Sequence, residues 1–106
     1  MKLHSLTDNN KLIGCIAIEK SLKKANTFYI EKVSVIPGYR NKGYGIKLMS
    51  FAVSKIKELG AKEISIALID SNTRLTNWYS SQGFIETDVK DFEHLPFKVC
   101  FMSKQI

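Results

Sequence analysis

Arg40-Asn-Lys-Gly43-Tyr-Gly45 is the stretch of this chain whose residue types and spacing could do chemistry. It follows an alternating run, Val33-Ser-Val-Ile, across Pro37 and Gly38, and leads at once into an amphipathic segment at 46–59. A strand, a basic glycine-rich turn and a helix start make an anion site. Glycines let the backbone approach a phosphate closely, while unpaired N–H groups and the positive end of the helix dipole converge on it. The ligand this predicts is a polyphosphate. A nucleoside-triphosphate loop would need Lys and then Ser or Thr after the second glycine of Gly38-x-x-x-x-Gly43, where Tyr44 and Gly45 stand. A dinucleotide fingerprint would need Gly or Ala three places after Gly45, where Leu48 stands.

A second cluster lies downstream, Asn72-Thr-Arg-Leu75-Thr-Asn-Trp78-Tyr79-Ser-Ser-Gln-Gly83-Phe84. In this order, with a strand and a helix between them, the two motifs resemble those of the GNAT superfamily of N-acetyltransferases. That family's pyrophosphate loop reads Q/R-x-x-G-x-G/A, and its later signature reads N-x-x-A-x-x-[L/F]-Y-x-x-x-G-F. Leu75 replaces the commoner Ala, a packing change.

The resemblance implies acetyl-coenzyme A as cofactor and direct transfer of its acetyl group to a primary amine, without metal or covalent enzyme intermediate. Arg40, Asn41, Lys42, Gly43, Tyr44 and Gly45 would hold the cofactor's phosphates, with Tyr44 packing over the loop. Main-chain N–H groups of Val33, Ser34 and Val35 would face the oxygen of the tetrahedral intermediate. Asn72 would hydrogen-bond the pantetheine arm, and the same residue suits a helix N-cap. Tyr79 occupies the position that protonates the departing thiolate in many relatives, and a phenol with a reference pKa near ~10 is a neutral donor at pH 7. Its other reading is a core aromatic beside Trp78.

An alkylammonium acceptor, with a pKa near ~10.4, must lose a proton before it attacks. Glu31 is the available carboxylate, on a strand face expected to carry Tyr29, Val33 and Val35 as well. The family's catalytic glutamate, where present, falls nearer Tyr29, so a solvated strand glutamate stays the alternative for Glu31. His4 and His94 lack metal-ligand spacing and receive no role.

The elements that position these residues follow from periodicity. Strands are predicted at 2–6 and 11–19, joined by Asp8-Asn9-Asn10 in a tight hairpin, and at 27–35, ended by Pro37 and Gly38. Apolar residues at 46, 48, 49, 52, 53, 56 and 59 predict a helix over 45–59 with Gly60 as its cap. Residues 63–69 read as a central strand covered on both faces. A short helix at 72–82 ends at Gly83, and strands at 84–87 and 97–103 form a hairpin with a long acidic loop. The fold class is α/β (α+β): a mixed, mostly antiparallel sheet of about six strands with two helices, in the order β-β-β-α-β-α-β-β.

The family fold usually begins with an extra strand and two helices, and Met1 falls where these would already have ended. The cofactor half is expected and the acceptor-covering half is not. A different class of reading stays open beside the enzyme, a non-catalytic acyl-coenzyme A binding or sensing module. A homodimer that walls the acceptor site with its second subunit would argue against that module.

The 106 residues suit one domain spanning 1–106, and 44% hydrophobic with 25% charged residues is ordinary for a globular protein. No apolar run approaches the ~20 residues of a membrane span and no signal-peptide core follows Met1, so a cytoplasmic protein without membrane partners is expected. Cys15 and Cys100 sit in apolar runs and read as small buried hydrophobes. Net charge is +6, and ten Lys or Arg between Lys20 and Lys62 face only Glu31 and Glu58. The basic half holds the phosphate loop, as steering of a polyanion requires. A nucleic-acid module would need aromatic platforms on an open basic sheet, but Phe28, Tyr29 and Tyr39 are assigned to core and cofactor site. Polyamine, amino acid, aminoglycoside and protein acceptors share only an amine, which leaves the acceptor undetermined.

Overall fold

Asn9 and Asn10 take φ of 50° and 65°, the left-handed pair that a two-residue hairpin turn requires and asparagine tolerates. They join β1 (Lys2–Asp8) to β2 (Lys11–Lys20) in antiparallel register. The computed structural model describes residues 2–106, apart from the side chains of Asp8 and Lys32, so the turn role expected of the Asp8 side chain lies outside the described residues. There follow β3 (Thr27–Val35), a 3-10 turn (Pro37–Tyr39), α1 (Tyr44–Glu58), β4 (Glu63–Ile69), α2 (Thr73–Ser81), β5 (Ile85–Asp91) and β6 (Lys98–Gln105). The six strands form one sheet in the order β1-β2-β3-β4-β6-β5, with β3 and β4 parallel and the other neighbours antiparallel. This is the mixed, mostly antiparallel architecture expected.

One stripe of α1, Leu48, Met49, Ala52 and Ile56, is buried against Ile16, Ile18, Ile30, Ile64 and Ile66 of the sheet. Tyr79 from α2, Phe84 just beyond it, and Cys100 and Met102 of β6 close the same cluster. Apolar positions spaced at one and four residues along α1 bring their side chains to a single side of the helix. Ile46 and Leu59, expected on that stripe, are 44% and 54% exposed because they lie at its two ends. Cys100 is buried and Cys15 half-buried, and both thiols are free.

Two expectations are corrected. Strand β4 is covered on one face only. Ile64 and Ile66 are buried while Ala67 is exposed and Ile69 is 43% exposed, since the described helices pack on the Ile64 side. The acidic segment at 88–91, expected as loop, is strand. Glu86, Asp88 and Asp91 extend β5 along β6, with a bulge between Glu86 and Asp88 where the Thr87 hydroxyl donates to the Phe101 carbonyl at 3.2 Å. An edge strand with every residue exposed tolerates charge on both faces.

The start of β4 is clasped to its neighbours. The Asn26 carbonyl accepts from the Lys62 and Glu63 N–H groups at 2.8 and 3.1 Å. The Glu63 carboxylate takes Lys24 Nζ and Gln105 Nε2, each at 2.6 Å. The Lys24 ammonium holds the Glu63 carboxyl below the usual carboxylate range.

Candidate active site

From that clasp β3 and β4 run side by side for three residues and then part. Their pairing covers Thr27, Phe28 and Tyr29 against Glu63, Ile64 and Ser65, and no pair is formed beyond Tyr29. On the other edge of β3 the register with β2 slips: Glu31 faces Ala17 but Ser34 faces Cys15, which sets two β3 residues against Ile16. This is a β-bulge, and a bulged strand bends and twists away from its neighbour. A cleft of about 560 Å³ opens between the strands, lined by Tyr29, Glu31, Val33 and Val35 on one side, Ser65 to Leu68 on the other, and Trp78 and Tyr79 from α2.

The bulge also corrects the face assigned to Glu31. Two-residue alternation fails across it, so Val33 and Val35 turn to the helix side and pack on the core, while Glu31 stays opposite Ala17 beside Tyr29 at the cleft wall. Ser34 is exposed and does not line the cleft.

Adjoining the cleft, the predicted anion turn forms a cradle of about 240 Å³ lined by Val35, Tyr39, Arg40, Asn41, Gly43, Tyr44, Gly45, Ile46 and Trp78. Gly43 caps α1 with φ of +84°, a conformation side chains disfavour. The first turn of α1 carries no acidic residue and no side-chain cap, and the Gly43 carbonyl takes the Lys47 N–H at 3.1 Å. The N–H groups ahead of Lys47 are left for an anion. Arg40 Nε donates to the Val35 carbonyl at 3.1 Å, which tethers the guanidinium to the end of β3 and leaves its other N–H groups available. The Lys42 ammonium sits 5.9 Å from the Tyr39 ring and does not line the cradle; Tyr39 meets Tyr44 edge-on at 5.7 Å.

Tyr79 is 5% exposed, held edge-on between Trp78 at 4.9 Å and Phe84 at 5.5 Å. Burial pushes its phenol up to about 12, and among the described residues no protein group hydrogen-bonds its hydroxyl. Asn72 caps α2 by accepting the Leu75 N–H at 3.1 Å and lines a separate opening with Arg74, Leu75, Asn77 and Trp78.

Of the residues singled out in the sequence, Glu31, Val33, Val35, Gly45 and Tyr79 meet at the cleft, and Arg40, Asn41, Gly43, Tyr44 and Gly45 at the cradle. Ser34, Lys42 and Asn72 line neither. Sequence reasoning passed over Ser65, Ile66, Ala67 and Leu68 of β4, which reach the site through the strand divergence and carry no local mark. It also passed over Trp78 as a site residue, although Trp78 directly precedes Tyr79 in the signature. Among the described residues no group of three His, Cys, Asp or Glu could hold a metal, and no helix is long and apolar enough to cross a membrane.

The sheet thus splits between parallel strands, with a helix N-terminus at the mouth of the split and a buried tyrosine inside. The profile of the acetyltransferase (GNAT) family matches residues 2–84, and the chain belongs to that family. It is 32% identical over 78 residues to an uncharacterised N-acetyltransferase of Schizosaccharomyces pombe, an alignment covering 73% of this chain and 54% of the relative. The chain spans about half the length of the curated relatives it matches. Among solved structures, a GNAT family acetyltransferase from Elizabethkingia anophelis with acetyl-CoA bound superposes with a TM-score of 0.88 at 21% identity, over 98% of this chain and 75% of the other. The ribosomal-protein-S18-alanine N-acetyltransferase of Escherichia coli gives 0.84 at 19%, over 99% and 68%. These likenesses show the fold.

Proposed function

We propose that this chain acts as one acetyltransferase domain that uses acetyl-coenzyme A to acetylate a primary amine. The observation that carries the reading is continuity: the anion cradle and the sheet cleft share Val35, Gly45 and Trp78, so a ligand anchored by phosphate at α1 can extend between β3 and β4. The cradle fits the cofactor, with unpaired helix N–H groups, a left-handed glycine cap, no first-turn acid and Arg40 alongside. Bound acetyl-coenzyme A supplies a thioester acyl group activated toward amines.

The chain's own residues divide the remaining work. The α1 N–H groups, Arg40 and Asn41 bind phosphate, Lys42 attracts it from outside the cradle lining, and Asn72 adds a contact to the arm when its capping bond is exchanged. Main-chain N–H groups at 33–35, on the bulged strand, give hydrogen bonds to developing negative oxygen. Tyr79 holds its proton on a hydroxyl raised to about 12 and delivers it where a sulfur anion leaves. Glu31, at the cleft wall, accepts the proton of the acceptor ammonium.

The acceptor side opens beside the uncovered face of β4, at Ala67 and Ile69, which admits a chain end as readily as a small amine. The likeness to a ribosomal-protein-alanine enzyme makes protein N-termini the first acceptors to screen. A cytoplasmic location, the expectation from the sequence, belongs to the same proposal. The open face also favours the second reading, an acyl-coenzyme A binding module without transfer.

Calorimetric titration with acetyl-coenzyme A, beside dephospho-coenzyme A, tests the cofactor. Micromolar affinity that weakens without the ribose phosphate is expected; no heat at millimolar ligand overturns the proposal. Binding without acetylation across an amine screen selects the binding-module reading.

A further inference from the structure

Trp78 is the chain's one tryptophan, and it is half-buried where three openings meet: the sheet cleft, the anion cradle, and a space of about 430 Å³ beside Asn72. A Cβ added at Gly45 would stand 3.6 Å from its Cη2, an ordinary contact, but 3.2 Å from its Cζ2, close enough that the ring must give by a few tenths of an ångström. At Gly43, by contrast, an added Cβ meets nothing within 4 Å. The two glycines of the turn therefore serve different needs. Gly43 supplies a backbone angle, and Gly45 supplies room for an indole.

The Cζ2–Cη2 edge of the indole is therefore the edge turned toward the start of α1. Among the described residues no protein group accepts from the indole N–H. The same ring meets Tyr79 edge-on at 4.9 Å and 77°. One rigid side chain thus touches the helix start that takes phosphate and the phenol at the far end of the ligand path.

Resting on the acetyl-coenzyme A reading, we propose that Trp78 is a cofactor-positioning residue, a spacer that fixes the α1 N-terminus relative to Tyr79, and that glycine is required at position 45 because of this indole. Rigid aromatic contacts hold a geometry that a flexible aliphatic side chain would not. Removing the ring should release the restriction at 45.

The test compares coenzyme A affinity by calorimetry in the wild-type protein, Gly45→Ala, Trp78→Leu and the double variant. Overpacking at a site of this kind predicts about a 10-fold loss for Gly45→Ala. Trp78→Leu loses about 3- to 10-fold, and the double variant binds no worse than Trp78→Leu alone, because the two changes share one contact. Losses that multiply would mean the ring is mere filler and overturn the proposal, as would a Gly45→Ala protein with wild-type affinity.

A second readout survives a misfolded Gly45→Ala protein. Coenzyme A should shift the Trp78 emission of the wild-type chain on the same isotherm that calorimetry gives. Emission unchanged on a protein that calorimetry shows to bind overturns the role of Trp78 and leaves the cofactor reading standing. A wild-type chain that binds no coenzyme A overturns both.

Discussion

At the scale of single residues, the proposed chemistry turns on a phenol kept neutral by its surroundings. Tyr79 is buried between two aromatic rings, and charge on its oxygen would sit in that apolar setting, so its pKa lies near 12 rather than 10. Such a group keeps its proton at any pH at which the protein works, and it is a donor, not a base. Tyr79→Phe is expected to lower turnover by about 10- to 100-fold with cofactor affinity changed less than about twofold, read as kcat against calorimetric Kd; full activity would assign the proton to water. The same shift bears on stability. A folded-state pKa above the unfolded value contributes in full below about pH 10 and is lost as pH rises toward about 12, at most about 3 kcal/mol. Alkaline melting curves of wild type and Tyr79→Phe should run together near neutral pH and diverge across that window, the wild type falling faster because only the phenol can ionise.

At the scale of elements, the site is a sheet clasped at one end and split at the other. Glu63 ties β4 to Lys24 and to Gln105 of β6 at the first parallel pair, while the β3 bulge opposite Ile16 turns the strands apart. Because the Lys24 side chain is 62% exposed, the ion pair contributes only about 0.5–1 kcal/mol. Glu63→Gln should lower the melting temperature by about 3–6 °C near pH 7. The lowered carboxyl pKa means this contribution is present above the unfolded value of about 4.3 and lost as pH falls through the folded one, so the difference should vanish in acid. A difference that persists there would assign the effect to packing. Much of this scale was legible in the sequence. Asn9 and Asn10 announced a left-handed turn, Asn72 a helix cap, and the apolar spacing of α1 its buried stripe. The bulge was not legible, because no glycine or proline marks residues 31–33, and with it went the face of Val33 and Val35. The length of β5 was missed because Asp88 and Asp91 look like a loop until the strand is known to lie at an edge. The β4 side of the cleft exists only once β3 has bent away, and no residue of 65–68 signals that alone.

At the scale of the whole molecule, a chain of net charge +6 carries ten of its sixteen Lys and Arg between Lys20 and Lys62, the stretch that includes Arg40 of the α1 cradle, and sets three carboxylates along the outermost strand. A polyanion is drawn to the basic side, and that attraction is screened by salt. The Kd for coenzyme A should rise about 3- to 10-fold between roughly 0.05 and 0.5 M ionic strength, with a shallower slope for dephospho-coenzyme A. A flat dependence would leave the N–H groups of the cradle as the sole attraction. The far edge of the sheet has a different consequence. Strand β5 is exposed along its whole length, and its outer backbone groups would template a strand from another copy were it not for three carboxylates and the kink at Thr87. Neutral substitutions there would leave core and cleft intact and still invite the chain to precipitate, so the colloidal life of this protein is guarded by the element that adds least to its interior.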